Sequence, residues 1–104
     1  MRRFLSAALL LAACGHKSPD EQLIQEFDSV KSWSATVQFA GEKWRVNSVP
    51  AFFMRATIAA AEKEYDAAAT SIDQSRARKE LRDQLRHELD AARASAHRLK
   101  QELR

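Results

Sequence analysis

After Pro50 the chain runs to Arg104 through 54 residues with no further proline and no glycine. A β-rich domain of this size needs turn residues that supply positive φ or a fixed φ, and they are missing here. The whole chain of 104 residues holds two Gly and two Pro, at Gly15, Pro19, Gly41 and Pro50. That scarcity excludes collagen-like and strand-based architectures and predicts an all-α chain. One cysteine leaves no pair for an internal disulfide.

The first helix has a marked start. Ser18-Pro19-Asp20-Glu21 combines an S-x-x-E capping box, a proline at the first helical position and acids facing the positive end of the helix dipole. From there Leu23, Phe27, Val30, Val37 and Trp44 fall on one stripe, with Trp33 beside it. Ser34 and Gly41 lie on the same stripe. A helical Gly costs about 1 kcal/mol relative to Ala, so Gly41 predicts a close approach by a neighbouring backbone.

Asn47-Ser48-Val49-Pro50 is the only turn signal after residue 19. Either Asn47 or Ser48 can cap a second helix, with Pro50 in its first turn. Met54, Ile58, Ala61, Tyr65, Ala68 and Ile72 then recur at spacings of four and three. The expected fold is an antiparallel helical hairpin over residues 19–75 with a very long second helix. In that register Leu23 falls opposite about Ser75, so the first helix is used up there.

Residues 76–104 form a basic amphipathic tail with its own stripe: Leu81, Leu85, Leu89, Ala92, Ala96, Leu99 and Leu103. From Leu85 onward it is heptad-like. With Leu85, Ala92 and Leu99 at d, the e positions are Arg86, Arg93 and Lys100, and the g positions are Glu88, Ser95 and Glu102. Parallel self-association through Leu85, Leu89, Leu99 and Leu103 would bring Glu88 to Arg93 of a second copy. A solvated helix laced by i,i+4 ion pairs is the alternative.

Residues 1–13, MRRFLSAALLLAA, pair two arginines with a short apolar run. Ten residues cannot span a bilayer of roughly 30 Å, so the segment reads as a secretory signal peptide. Leu11-Ala12-Ala13-Cys14 resembles the lipobox of bacterial lipoproteins. The resemblance implies cleavage before Cys14, lipidation of its thiol and acylation of its new amino group. Residues 14–18 would then be the lipidated Cys and a tether. A generic signal peptide with a chance Cys is the alternative. Gly15 in place of Asp resembles the enteric signal for transfer to the outer membrane, so the implied location is the envelope of a Gram-negative bacterium, facing the periplasm. Several acyl chains, each contributing about 0.8 kcal/mol per buried methylene, hold such an anchor stably.

The chain carries 17 Lys and Arg against 14 Asp and Glu, a net +3 that invites a nucleic-acid reading. Removing residues 1–13 takes away Arg2 and Arg3, and export takes the chain away from nucleic acid. The remaining charge is divided. Residues 15–75 hold six bases and nine acids, while residues 76–104 hold nine bases and five acids. All seven aromatics beyond the signal segment precede residue 66.

A tether of four residues reaches about 14 Å. An upright hairpin with an unbroken second helix would drive roughly 43 Å of basic helix into the bilayer. Three arrangements avoid this: a hairpin lying along the membrane, no hairpin, or a bend near residues 70–75. Thr70-x-x-Asp73 and Ser71-x-x-Gln74 resemble capping boxes, and a bend there gives a three-helix bundle as the alternative fold.

No enzyme is predicted. The hairpin segment contains no His, the His87-Glu88-Leu89-Asp90-Ala91 segment lacks the second His of a zincin, and no Gly-rich phosphate loop exists. Asp83, His87 and Asp90 share a helix face, which reads as solvated rather than metal-binding, so no metal and no cofactor are expected. Trp33 and Trp44 fit either a ligand groove or the hairpin core.

Phe39, Val46, Phe52 and Phe53 exceed what a two-helix core can bury and form the candidate partner surface. The segment SWSATVQFAGEKW followed by VPAFF resembles a small proteobacterial envelope family, a likeness that implies no activity. The expected function is a membrane-anchored, non-enzymatic interaction module for another envelope protein. The alternative is a structural tether that binds peptidoglycan or anionic lipid non-covalently. Murein lipoprotein, which the chain resembles in being a small helical lipoprotein, attaches through a C-terminal Lys, whereas the last Lys here is Lys100.

Overall fold

The computed structural model describes residues 17–104, and Cys14, His16 and the signal segment lie outside that range. Three helices follow in order: α1 (Pro19–Arg45), α2 (Ala51–Gln74) and α3 (Lys79–Glu102). There are no strands among the described residues. The chain is thus all-α, as the scarcity of breakers predicts.

Helix α1 begins where its sequence signals place it. Pro19 occupies the first turn, and the Ser18 hydroxyl accepts a hydrogen bond from the Glu21 amide at 3.1 Å. It ends in a Schellman motif centred on Asn47, whose φ is 60°. The Asn47 amide donates to the Trp44 carbonyl at 2.9 Å and the Ser48 amide to the Lys43 carbonyl at 2.7 Å. This is the left-handed position that Gly or Asn fills most readily. Asn47 therefore closes the first helix rather than capping the second, whose N-cap is Pro50 with no side-chain capping bond.

The very long second helix does not form. Helix α2 stops at Gln74 and α3 starts at Lys79, leaving a four-residue turn. Ser75 and Arg78 adopt extended backbone, and the Ser75 hydroxyl accepts from the Ala77 amide at 3.0 Å. Thr70 does not act as a cap, because its hydroxyl donates back to the Asp66 carbonyl within α2. The break begins at Ser75, the last residue of the 70–75 stretch, and the N-cap of α3 is Arg78, seven or eight residues beyond Thr70 and Ser71; the tail packs on the hairpin.

One hydrophobic core runs through all three helices. From α1 come Leu23, Phe27, Val30, Val37 and Ala40, and from α2 come Met54, Ile58, Ala61, Tyr65, Ala68 and Ile72. The α2 set is the stripe read from spacing alone. From the turn and α3 come Ala77, Leu85, Leu89, Ala92, Ala96, Leu99 and Leu103. Leu85, Leu89, Leu99 and Leu103 are thus buried within the single chain, and the seam assigned to self-association is occupied by α1 and α2.

Gly41 meets the end of that seam. A Cβ built there would lie 3.1 Å from both terminal methyls of Leu99. The close neighbour is a side chain of α3, not the backbone of the second helix.

The divided charge also closes within the chain. The three e positions of the heptad face acids of α2: Arg86 pairs with Asp73, Arg93 with Asp66 at 2.8 Å and Lys100 with Glu62 at 3.0 Å. At the g position Glu102 pairs with Arg45 of α1 at 3.1 Å. Exposed pairs of this kind contribute at most about 1 kcal/mol each. Their main consequence is register: α3 runs antiparallel to α2 and parallel to α1.

Candidate interaction surface

The register assigns different chemistry to the two ends of the bundle. At one end α1 begins and the α2–α3 turn folds back over it. Asp20 accepts from the Arg78 backbone amide at 2.9 Å and from its Nε at 2.6 Å. These bonds from Arg78 hold the Asp20 carboxyl below its ordinary range, the backbone bond first, and Arg78 is raised in turn. Helix α3 has no side-chain cap of its own, so this carboxylate from another helix supplies the contact. Residues 17–24 and 71–83, which make up this end, hold five bases and five acids.

At the other end, about 40 Å along a 27-residue α1, lie the α1–α2 turn and the last turn of α3. Four of the five large apolar side chains left outside among the described residues lie here, the fifth being Ile24 near the other end. Phe39 is 61% exposed, Val46 68%, Phe52 72% and Phe53 46%. Phe39, Lys43 and Val46 share the outward stripe of α1 at i, i+4 and i+7. The Lys43 ammonium stands 5.2 Å from the Phe39 ring centroid, a cation–π contact. Arg55, three residues after Phe52, donates to the Leu103 carbonyl at 3.3 Å and ties α2 to the end of α3. Residues 39–55 and 98–104 hold six bases against two acids. This end is therefore aromatic and basic.

The remaining sequence candidates are dispersed. Trp33 and Trp44 are partly buried and pack against the core. Ser34, beside Trp33, interacts with the Tyr65 phenol, which burial pushes above its ordinary value and this bond draws partly back. Asp83, His87 and Asp90 are exposed on α3, and His97 is hydrogen-bonded to Gln101 at 3.3 Å. No group of three or more His, Cys, Asp or Glu that could hold a metal exists among the described residues. None of the described helices is long and apolar enough to cross a membrane.

The concavities are shallow grooves between helices. One of about 280 Å³ lies between α1 and α3, lined by Gln38, Glu42, Arg45 and Arg98. Another of about 330 Å³ lies between α2 and α3, lined by Arg55, Ile58, Lys100 and Leu103. Both are next to the aromatic end. Sequence reasoning found the four exposed apolar residues of this end but missed half of its bases, because Arg98, Lys100 and Arg104 reach it only through the fold-back of α3. No protein-family model matches the chain, and no curated protein or solved structure matches it.

Proposed function

We propose that this chain is a lipid-anchored, non-enzymatic interaction module of the bacterial envelope. Its signal segment directs export, its anchor is Cys14, and its aromatic end binds another envelope protein. The observation that carries the reading is the placement of Phe39, Val46, Phe52 and Phe53 at the end of the bundle opposite the tether. Four large apolar side chains left outside at one end while Leu85, Leu89 and Leu99 are packed inside suit a binding surface better than a folding element.

The fold-back at residues 75–78 supports the same arrangement. With α3 returning alongside α1, the basic tail ends beside the α1–α2 turn, and an upright bundle drives no helix into lipid. The module can then stand on a tether of about 14 Å with its aromatic end some 40 Å farther out.

Two variants test the reading separately. Cys14→Ser abolishes incorporation of labelled fatty acid and releases the chain from membranes; retained lipid label would refute the anchor. Phe52→Ser combined with Phe53→Ser leaves the helical circular-dichroism spectrum unchanged but removes protein crosslinked to the module in intact envelopes. Unchanged crosslinking would refute the surface, and enrichment with the peptidoglycan sacculus would point to a tether instead.

A further inference from the structure

We propose that the aromatic end receives an acidic, apolar segment of its protein partner, a statement of partner chemistry that rests on the interaction-module reading above. Three observations favour this occupant over the others. The first is charge. Residues 39–55 and 98–104 at this end hold six bases against two acids; Arg45 is paired with Glu102 and Lys100 with Glu62, and of the rest Lys43 lies against the Phe39 ring itself. A surface that pairs with it must bring carboxylates beside its apolar anchors.

The second is area. The exposed parts of the four apolar side chains amount to on the order of 400 Å², about half of the roughly 800 Å² that each partner of a stable complex contributes. A second copy would add the same excess of positive charge to an undersized apolar contact. A short segment gripped by apolar anchors and steered by charge is compatible with the area available.

The third is position. Reaching its own bilayer would require the bundle to lie flat on a continuous apolar stripe. The outward stripe of α1 toward the tether instead runs back through Thr36, Ser32 and Asp28, all exposed, before it reaches a single apolar residue, Ile24. Helix α1 thus offers water a polar flank between Ile24 and the aromatic end, not a continuous apolar stripe.

The experiment uses the lipidated full-length chain in its native envelope, with a photoreactive benzophenone amino acid in place of Phe52. Adducts are identified and the crosslinked peptide is mapped by mass spectrometry, and lipidation of Cys14 is read from the same preparation. The expected peptide carries apolar residues within one or two positions of Asp or Glu. Its yield falls about tenfold when salt is raised to about 0.5 M and in a Lys43→Glu/Arg55→Glu chain of unchanged helicity. Replacing the peptide's carboxylates with Lys restores the yield in the reversed chain.

A crosslinked peptide without acidic residues, or one insensitive to charge reversal, overturns this inference and leaves the interaction module standing. Adducts confined to lipid, to glycan or to a second copy overturn the partner class. Absence of any adduct from a chain shown to be lipidated overturns both readings.

Discussion

The two turns of this bundle reverse the chain by opposite means. At the α1–α2 turn the reversal is written locally: Asn47 takes the left-handed conformation, two Schellman bonds satisfy the last carbonyls of α1, and Pro50 stands at the start of α2. At the α2–α3 turn the residues are Ser75, Arg76, Ala77 and Arg78, with no Gly, no Pro and no positive φ. Beyond the bond from the Ala77 amide to the Ser75 hydroxyl, what holds that reversal is distant in sequence. Asp20 grips the backbone and side chain of Arg78, Ala77 is buried, and the leucines of α3 need the α1–α2 surface. A local turn survives the loss of tertiary contacts in a way that a turn imposed from outside does not.

The sharpest way to break the contrast is through the α3 seam. Leu89 is fully buried, and Leu89→Ala removes its packing and leaves a cavity, at a cost of about 2–4 kcal/mol. Urea denaturation followed by circular dichroism measures it. The midpoint is expected to be independent of protein concentration, because α3 is buried by its own chain. A midpoint that rises with concentration would restore the self-associating tail.

Next in size is Gly41→Val. The added side chain enters the space of the Leu99 methyls, 3.1 Å from a Cβ at that position, and overpacking of this kind costs about 1–3 kcal/mol. Combining it with Leu99→Ala relieves the conflict, so the double variant loses less stability than the two single losses together. Strict additivity would mean that Gly41 does not govern the approach of α3.

The contrast between the turns also explains which parts of the architecture were legible in the sequence. The start of α1 at Ser18 and Pro19 is a local signal, and so is the four-and-three spacing from Met54 to Ile72. The break at residues 75–78 carries only a faint local mark, the Ser75 hydroxyl that accepts from the Ala77 amide, and the contact at the start of α3 comes from Asp20, 58 residues away. The stripe from Leu85 to Leu103 showed that a face of α3 requires cover, but periodicity does not identify what covers it. Its charges identified the partner only once the acids of α2 were set against Arg86, Arg93 and Lys100. At the candidate surface, Phe39, Val46, Phe52 and Phe53 were legible because a two-helix unit has two inner faces and these residues fit neither. Half of the surrounding bases were not, because Arg98, Lys100 and Arg104 come from a segment placed there by the hidden turn.

The local turn gives a smaller effect. In Asn47→Ala a residue without a helpful side chain must hold a φ of 60°, at a cost of about 1 kcal/mol. Asn47→Gly is expected to cost nothing or to stabilise slightly. Thermal melts of the two variants in parallel read the difference, and equal losses in both would show that the Asn side chain matters for a reason other than φ.

The finest distinction is the pH dependence of the imposed turn. The Arg78 bonds lower the Asp20 carboxyl in the folded state from an ordinary value of 3.8. A depressed carboxyl contributes stability that is fully present above its unfolded value and is lost as pH falls through the folded one. The contribution of this contact is therefore intact at neutral pH and disappears below about pH 4. Asp20→Asn keeps an acceptor for the Arg78 amide but gives up the charge, so the variant is less stable than the parent at pH 7 and approaches it at about pH 2. Urea melts at the two pH values measure the convergence. Because the side chains of Asp20 and Arg78 are solvent-accessible, the gap at pH 7 also narrows with added salt. A gap that persists in acid would mean that Asp20 holds the α2–α3 turn through shape and not through charge.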